Sequence, residues 1–173
     1  ATLSNEIKLY EGLVACIAQI DIECAKRLAT TKGALLTTIK GTGITLAAGV
    51  CSEIGPVEKQ TSMRKLCSYA GIVPRVKQSG GPDKEARHGT VSRCCNRTLK
   101  NYIVQCGSHM GLHGPEELRS DHARRTAQGQ HADFGVARRY LRMSLRLMKD
   151  HQIYLPEELR RESSREDLKA YYL

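Results

Sequence analysis

The sequence predicts an all-α fold. Residues 3–28 and 134–150 repeat their apolar positions at helical spacing, and no stretch alternates apolar and polar residues as strands do. Hydrophobic residues make up 40% of the 173 residues, which suffices for one domain with a core. Because the chain has no Trp and a single Phe, we expect that core to be aliphatic.

The N-terminal segment has the a/d spacing of a coiled coil. Its seam alternates steps of four and three residues and is interrupted by Asp21; the apolar positions are Leu3, Ile7, Tyr10, Val14, Ile17, Cys24 and Leu28. An amphipathic helix lying on its own domain would show the same stripe, but the pattern favours a partner helix. We therefore expect a helical arm at 1–32, a main domain at 33–155 and a charged tail at 156–173.

The segment "ALLTTIKGTGITLAAGVCSEIG" follows the arm and resembles a helix-hairpin-helix element. Gly41 and Gly43 form a tight turn before a helix from about Ile44 to Ile54. Glycine lets a backbone approach an anion, and the N-terminus of the following helix is electropositive, so the turn can hold a phosphate. Glycines are also needed merely to turn the chain, and Thr42 replaces the apolar residue usual between them.

The rest of the domain is predicted as helices and loops. Helical spacing is found from Met63 to Ala70, at 91–106 and at 134–150, whereas 75–90 and 107–131 are predicted as loops. Arg93, Arg97 and Lys100 recur at positions i, i+4 and i+7 of the second helix and share one side of it. Basic residues also line the outer face of the last helix, either as a solvated surface or as phosphate contacts.

The positive charge is concentrated in the middle third. Of the net charge of +9, residues 61–114 carry nine basic and two acidic residues, a net +7. Such a field favours a polyanionic partner, and phosphate contacts dominate nucleic-acid affinity. The centre of this charge is "GIVPRVKQSGGPDKEARHG", where Ser79 precedes Gly80. Either the serine shapes an ordinary solvated loop, or it faces a phosphate.

Other functional classes are disfavoured. No apolar run approaches the ~18–20 residues that span a bilayer, and no signal segment is found at the start. The seven cysteines are odd in number and lack a C-x-x-C pair, which indicates reduced thiols in a cytoplasmic protein and no metal site in this chain.

Several motifs in order resemble one family. They are G-x-G-[apolar]-x-x-A-A, E-I-G, S-x-R-x-L, Y-A-G-[IV]-x-P, Q-S-G-G and N-R-x-L, together with the closing "GVARRYLRMSLRLMKD". The chain is similar to the C-terminal domain of the insertion-sequence transposases that join a RuvC-like DEDD nuclease domain to a serine-bearing domain. Pilin-gene invertases belong to the same family, whose members choose DNA with a structured bridge RNA.

This resemblance implies a function and a site. Ser79 would be the nucleophile that cleaves and rejoins DNA, and the partners would be DNA, a guide RNA and further copies of the chain, as a dimer or higher oligomer, in a bacterial or archaeal nucleoid. The Mg²⁺ cofactor would be bound by an N-terminal domain, so this chain alone is expected to be inactive. Candidate phosphate contacts are Gly41, Gly43, Arg75, Lys77, Gly80, Lys84, Arg87, Arg93, Arg97 and Lys100.

Two departures and two rival functions accompany this interpretation. Cys95 replaces the glycine usual before the Asn of N-R-x-L, and 61–114 offers only Asp83 and Glu85 as carboxylates. The first rival is a non-catalytic helix-hairpin-helix DNA-binding module in which Ser79 shapes a turn. The second is a helical interaction domain whose charge serves solubility.

Overall fold

The computed structural model describes residues 2–60, 62–77, 87–91 and 94–156, with only the backbone described in the two strands. The elements in order are α1 (Thr2–Ala29), a 3₁₀ helix (Lys32–Thr38), α2 (Ile44–Ile54), a 3₁₀ turn (Val57–Lys59), α3 (Met63–Tyr69), β1 (Pro74–Lys77), β2 (Arg87–Val91), α4 (Arg97–His113), α5 (Glu116–Ala127) and α6 (Ala132–Asp150). The all-α prediction is confirmed, with one short hairpin added. Within these ranges, no helix is long and apolar enough to cross a membrane.

The core is built around α6, which packs against α4, α5 and α3. The apolar stripes that helical spacing predicts are buried at Ala137, Tyr140, Leu141, Leu145 and Met148 on α6 and at Leu99, Ile103 and Cys106 on α4. Tyr102, which belongs to the same predicted stripe of α4, is only partly buried. Full burial of a side chain such as Leu stabilises a fold by about 1.5–3 kcal/mol. These two apolar stripes therefore fix α4 and α6 against each other.

The predicted helix at 91–106 is confirmed from residue 97 onward, whereas its predicted start and the predicted loop at 107–131 are wrong. Residue 91 ends β2, α4 begins six residues later, and α4 and α5 occupy most of the predicted loop. Gly107 and Gly111 lie inside α4, where they allow neighbouring segments to approach closely. A Cβ at Gly107 would come within 2.4 Å of the carbonyl oxygen of Asp133, and one at Gly111 within 2.5 Å of the His122 ring.

The predicted loop at 75–90 is wrong at both ends. β1 and β2 pair antiparallel, with Lys77 opposite Arg87 and Val76 opposite His88. The chain between these paired strands, residues 78–86, lies outside the described residues. The strands are only 4 and 5 residues long, so no alternating pattern marks them in the sequence.

The arm α1 packs on the domain through its C-terminal end only. Leu28 is buried against α2 and the 3₁₀ helix, whereas the seam residues from Leu3 to Ile17 are 47–70% exposed. A helix lying along its own domain would have buried this stripe. Within the described part of the chain, the coiled-coil spacing therefore lies on a projecting helix.

Candidate nucleic-acid interface

The hairpin of β1 and β2 connects α3 to α4. Hydrogen bonds of Asn96 join these two helices at the base of the hairpin. Its backbone N–H donates to the carbonyl oxygen of Tyr69 at 2.9 Å. Its side-chain Oδ1 caps α4 by accepting from the N–H of Leu99 at 2.9 Å. Its Nδ2 donates to Glu53 Oε2 and to Tyr69 Oη, both at 2.7 Å. One side chain thus connects the start of α4, the end of α3 and α2.

The hairpin base carries the segment that holds the predicted nucleophile. Ser79, Gly80 and Lys84 lie outside the described residues, as does Arg93. Arg75 and Lys77 lie on β1 and Arg87 on β2, where only the backbone is described. Ser79 follows β1 by two residues in the sequence, and β2 returns the chain to the Asn96 cap.

The glycine turn before α2 is held from inside by Thr42. The Thr42 side chain is buried, and its Oγ1 donates to Tyr140 Oη at 3.4 Å in the core. Gly41 has a φ of +92°, which L side chains rarely adopt. The hydroxyl that departs from the usual apolar residue is therefore a satisfied buried group.

Gly43 is different from Gly41, because none of the described residues requires a glycine there. Its backbone is extended (φ −76°, ψ 165°), it is exposed, and a Cβ would meet no atom of the described chain within 4 Å. No side chain caps α2, and the first N–H groups of an α-helix have no intrahelical partner. The turn thus presents an open, electropositive helix end at which an external group can approach the backbone.

Cations on α4 and α6 form what we call the basic surface: Arg97, Lys100, Arg138 and Arg142. Lys100 Nζ lies 5.7 Å from the centroid of the Phe134 ring, and Arg138 Nε donates to the Phe134 carbonyl oxygen at 3.3 Å. Phe134, the only Phe of the chain, therefore joins the α4 and α6 parts of this surface.

The basic surface adjoins both helices that lead into the hairpin. Arg97 directly follows Asn96, at the start of α4. On the α3 side, burial raises the pKa of the Cys67 thiol, and the positive charges of Arg138 and Arg142 oppose this rise. The two arginines are thus close enough to α3 for their charge to act on its last turn.

The arginines of α5 are neutralised, unlike those of the basic surface. Arg124 and Arg125 both pair with the buried carboxylate of Asp121, and Arg119 pairs with Glu116. None of the four basic-surface cations forms an ion pair with a described carboxylate. Positive charge that has no carboxylate partner among the described residues therefore collects beside the hairpin base.

The outer face of α6 carries arginines with and without a described carboxylate partner. Arg139 donates to the carboxylate and carbonyl oxygen of Glu117, and Arg146 pairs with Asp150, so these two residues stabilise the fold. Arg138 and Arg142 form no ion pair with a carboxylate in the described part of the chain. Among the described residues, no group of three or more His, Cys, Asp or Glu side chains could hold a metal ion.

Sequence reasoning missed the structural role of Asn96, although a signal for it was present. An Asn immediately before an apolar-periodic segment is a strong N-cap candidate, and N-R-x-L places Leu99 three residues after it. The contribution of Phe134 to the basic surface had no signal of its own, because it depends on the packing of α4 against α6.

One comparison with known proteins identifies the chain. Residues 33–122 match the family model described as "Transposase IS116/IS110/IS902 family". The match runs from the 3₁₀ helix into α5, so it includes the glycine turn, the hairpin and the Asn96 cap. No curated protein matches the chain significantly. Because the model covers more than half of the sequence, the chain belongs to the IS116/IS110/IS902 family of transposases.

Proposed function

We propose that the chain is the serine-bearing domain of an RNA-guided transposase, in which Ser79 cleaves and rejoins DNA. One observation carries the proposal: the hairpin that brackets Ser79 leaves the domain beside the basic surface, inside the segment that matches the family. A DNA strand bound along this surface would lie next to the hairpin.

The proposed reaction conserves the energy of the phosphodiester bond. The hydroxyl of Ser79 gives up its proton and its Oγ bonds to phosphorus as the bond from phosphorus to the 3′ oxygen breaks. That oxygen takes up a proton and leaves as a hydroxyl. A 3′-hydroxyl then attacks the phosphoserine, restores a phosphodiester and regenerates the serine. Gly80 leaves room for the phosphate, and Arg75, Lys77 and Lys84 are proposed to offset charge in the transition state.

The acidic metal site of this reaction would belong to an N-terminal RuvC-like domain of the complete protein. There Mg²⁺ would polarise the phosphate and stabilise the attacking and leaving oxygens. We accordingly expect the 173-residue chain to bind nucleic acid without recombining it.

The nucleophile is tested with the full-length transposase, guide RNA, Mg²⁺ and cognate DNA. Ser79→Ala should abolish the covalent protein–DNA adduct seen on a denaturing gel and leave the DNA dissociation constant within about twofold. Ser68→Ala, at an exposed serine at the end of α3, is the matched control and should form the adduct normally. Normal recombination by Ser79→Ala would contradict the proposal.

The open end of α2 gives the non-catalytic alternative its support. Gly41 and Gly43 would let α2 receive a backbone phosphate, as in helix-hairpin-helix modules. This contact is compatible with catalysis, and it would be the main function only if Ser79→Ala recombines normally. The solubility alternative predicts a nucleic-acid affinity that does not fall as salt rises.

We also propose that the chain self-associates through α1. The exposed seam of this arm repeats over residues 3–17, and exposed apolar stripes of this kind mark protein–protein contacts. A second copy of the same helix presents a matching seam. Sedimentation of the chain at rising concentration tests this part of the proposal independently of catalysis.

A further inference from the structure

We propose that two copies of α1 pair antiparallel, with Val14 of each packed against Ile17 of the other at the centre. This inference rests on the self-association proposed above and adds its orientation and register. It depends on where the charged and polar residues of the exposed arm would meet in each possible arrangement.

A parallel pair brings like charges together. With the seam assigned from its spacing, Asp21 is an a position, which faces its own copy in a parallel dimer, so two carboxylates would meet inside the seam. Glu6 precedes an a position and Glu11 follows a d position. These flanking positions face each other in a parallel pair, which adds a second carboxylate repulsion on each side.

The antiparallel pair replaces these repulsions with complementary contacts. Its layers join a positions to d positions, so Asp21 meets Tyr10 of the other copy, whose hydroxyl can donate to the carboxylate. The flanking positions then join Glu6 to Arg27 and Leu13 to Ile20. Asp21 and the only hydroxyl of the seam thereby become partners.

The exposure of these side chains fits this arrangement. Leu13 and Ile20 lie beside the seam, and their apolar side chains are 54% and 61% exposed in the single chain. Pairing between them would remove both from water. Arg27 is 81% exposed and binds Glu23 within its own helix, so its guanidinium remains accessible. A register shifted by one heptad would place Asp21 against an apolar residue, Ile17 or Leu3.

The arrangement has an architectural consequence. The six layers of the antiparallel pair lie between Ile7 and Cys24, before α1 enters its own domain. Leu3 of each arm then lies level with Leu28 of the other copy, where that helix meets its domain. The two domains are held at opposite ends of the paired arms, about 37 Å apart along the helix axis.

A charge-reversal cycle on the 173-residue chain tests the orientation. Glu6→Lys should raise the dimer dissociation constant about 2- to 30-fold by sedimentation equilibrium, because two exposed ion pairs per dimer are removed. Arg27→Glu should act similarly, and the double variant should recover most of the affinity. In a parallel pair Glu6→Lys would instead tighten the dimer, and that result would overturn the proposal.

A cross-link tests the register. Ile7→Cys faces the native Cys24 of the other copy in the antiparallel pair, so oxidation by dissolved oxygen should give a 7–24 disulfide between copies, found by mass spectrometry of peptides. Adding Cys24→Ser should abolish that peptide. A 7–7 link would mean parallel pairing. A chain that stays monomeric at every concentration would instead refute the self-association itself while leaving the Ser79 chemistry untouched.

Discussion

Asn96 donates to the hydroxyl of Tyr69 at 2.7 Å, and this bond joins the start of α4 to the end of α3 at the base of the hairpin. The same side chain caps α4 and binds Glu53. The Asn96 side chain therefore holds the two helix ends that flank the hairpin next to each other.

Asn96→Ala should lower the free energy of unfolding by about 2 kcal/mol, because it removes an N-cap and leaves Glu53 without its donor. Asn96→Ser keeps a capping oxygen and should lose about half as much. Tyr69→Phe, which removes one exposed acceptor, should cost no more than about 1 kcal/mol. Urea denaturation measures all three, and equal losses for Ala and Ser would contradict the capping role.

The Asn96 bonds also bear on the proposed reaction. If the hairpin base positions Ser79, Asn96→Ser in the full-length transposase should slow adduct formation more than it weakens DNA binding. Arg97→Gln, one residue further along, should show the opposite balance because its expected role is phosphate contact. If adduct formation slows only as much as DNA affinity falls, Asn96 contributes to folding and not to the positioning of Ser79.

Stability should fall at alkaline pH because of the packed interior. Burial raises the pKa of the Cys106 thiol to about 12, from an ordinary value of 9.0, and also raises the pKa of the Tyr140 hydroxyl. The folded chain holds protons that the unfolded chain releases. This part of the stability is therefore fully present below pH 9 and is lost as pH rises towards 12.

Cys106→Ala should make the fall of the unfolding free energy above pH 9 shallower by up to about 1.4 kcal/mol per pH unit. Urea denaturation between about pH 8 and pH 10.5 measures the slope. Cys16→Ala changes an exposed cysteine of α1 and should leave the slope as it is. Equal slopes for Cys106→Ala and the unaltered chain would show that Cys106 does not contribute.

The sequence predicted the elements whose apolar residues repeat regularly, and it missed those defined by contacts between elements. The helices α1, α2, α3 and α6 were found because their stripes are local. The C-terminal part of α4 was predicted as part of a basic loop, yet Gly107 and Gly111 lie inside the helix and allow the close approach of Asp133 and His122.

The candidate site divides in the same way. The charge of residues 61–114 and the order of motifs predicted the region, and the family match confirms that the chain belongs to a transposase family. Which cations lack a carboxylate partner depends on the folded arrangement. The role of Ser79 stays a prediction because it lies outside the described residues.

Substitution of Gly41 should destabilise the fold, whereas substitution of Gly43 should leave its stability nearly unchanged. Gly41→Ala forces a side chain into a left-handed backbone and should destabilise the fold by about 1–2 kcal/mol. Gly43→Ala meets open space and should change stability by less than about 1 kcal/mol. Gly43→Asp should keep or raise stability by capping α2, while its charge weakens nucleic-acid binding.

Denaturation together with fluorescence anisotropy on a labelled DNA duplex separates these effects. The expected result is a Gly43→Asp variant that is at least as stable as the unaltered chain and binds the duplex several-fold more weakly. Undiminished binding by Gly43→Asp would show that no phosphate approaches this turn.

The basic surface should determine the salt dependence of binding. Removing one cation that binds a phosphate should reduce the slope of log affinity against log salt by about 0.7–0.9. We therefore expect Lys100→Gln and Arg142→Gln each to flatten the slope by about that amount and to weaken binding, for DNA and RNA alike, between about 50 mM and 200 mM salt.

Arg119→Gln and Arg124→Gln provide matched controls, because they remove the same charge from partly exposed arginines that bind carboxylates on α5. If binding followed net charge alone, these variants would flatten the slope as much as Lys100→Gln does. The structure predicts otherwise, since each α5 arginine is already paired with an acidic side chain. Equal slopes across the four variants would therefore refute a localised phosphate contact beside the hairpin, whereas a flatter slope confined to the Lys100 and Arg142 variants would support it.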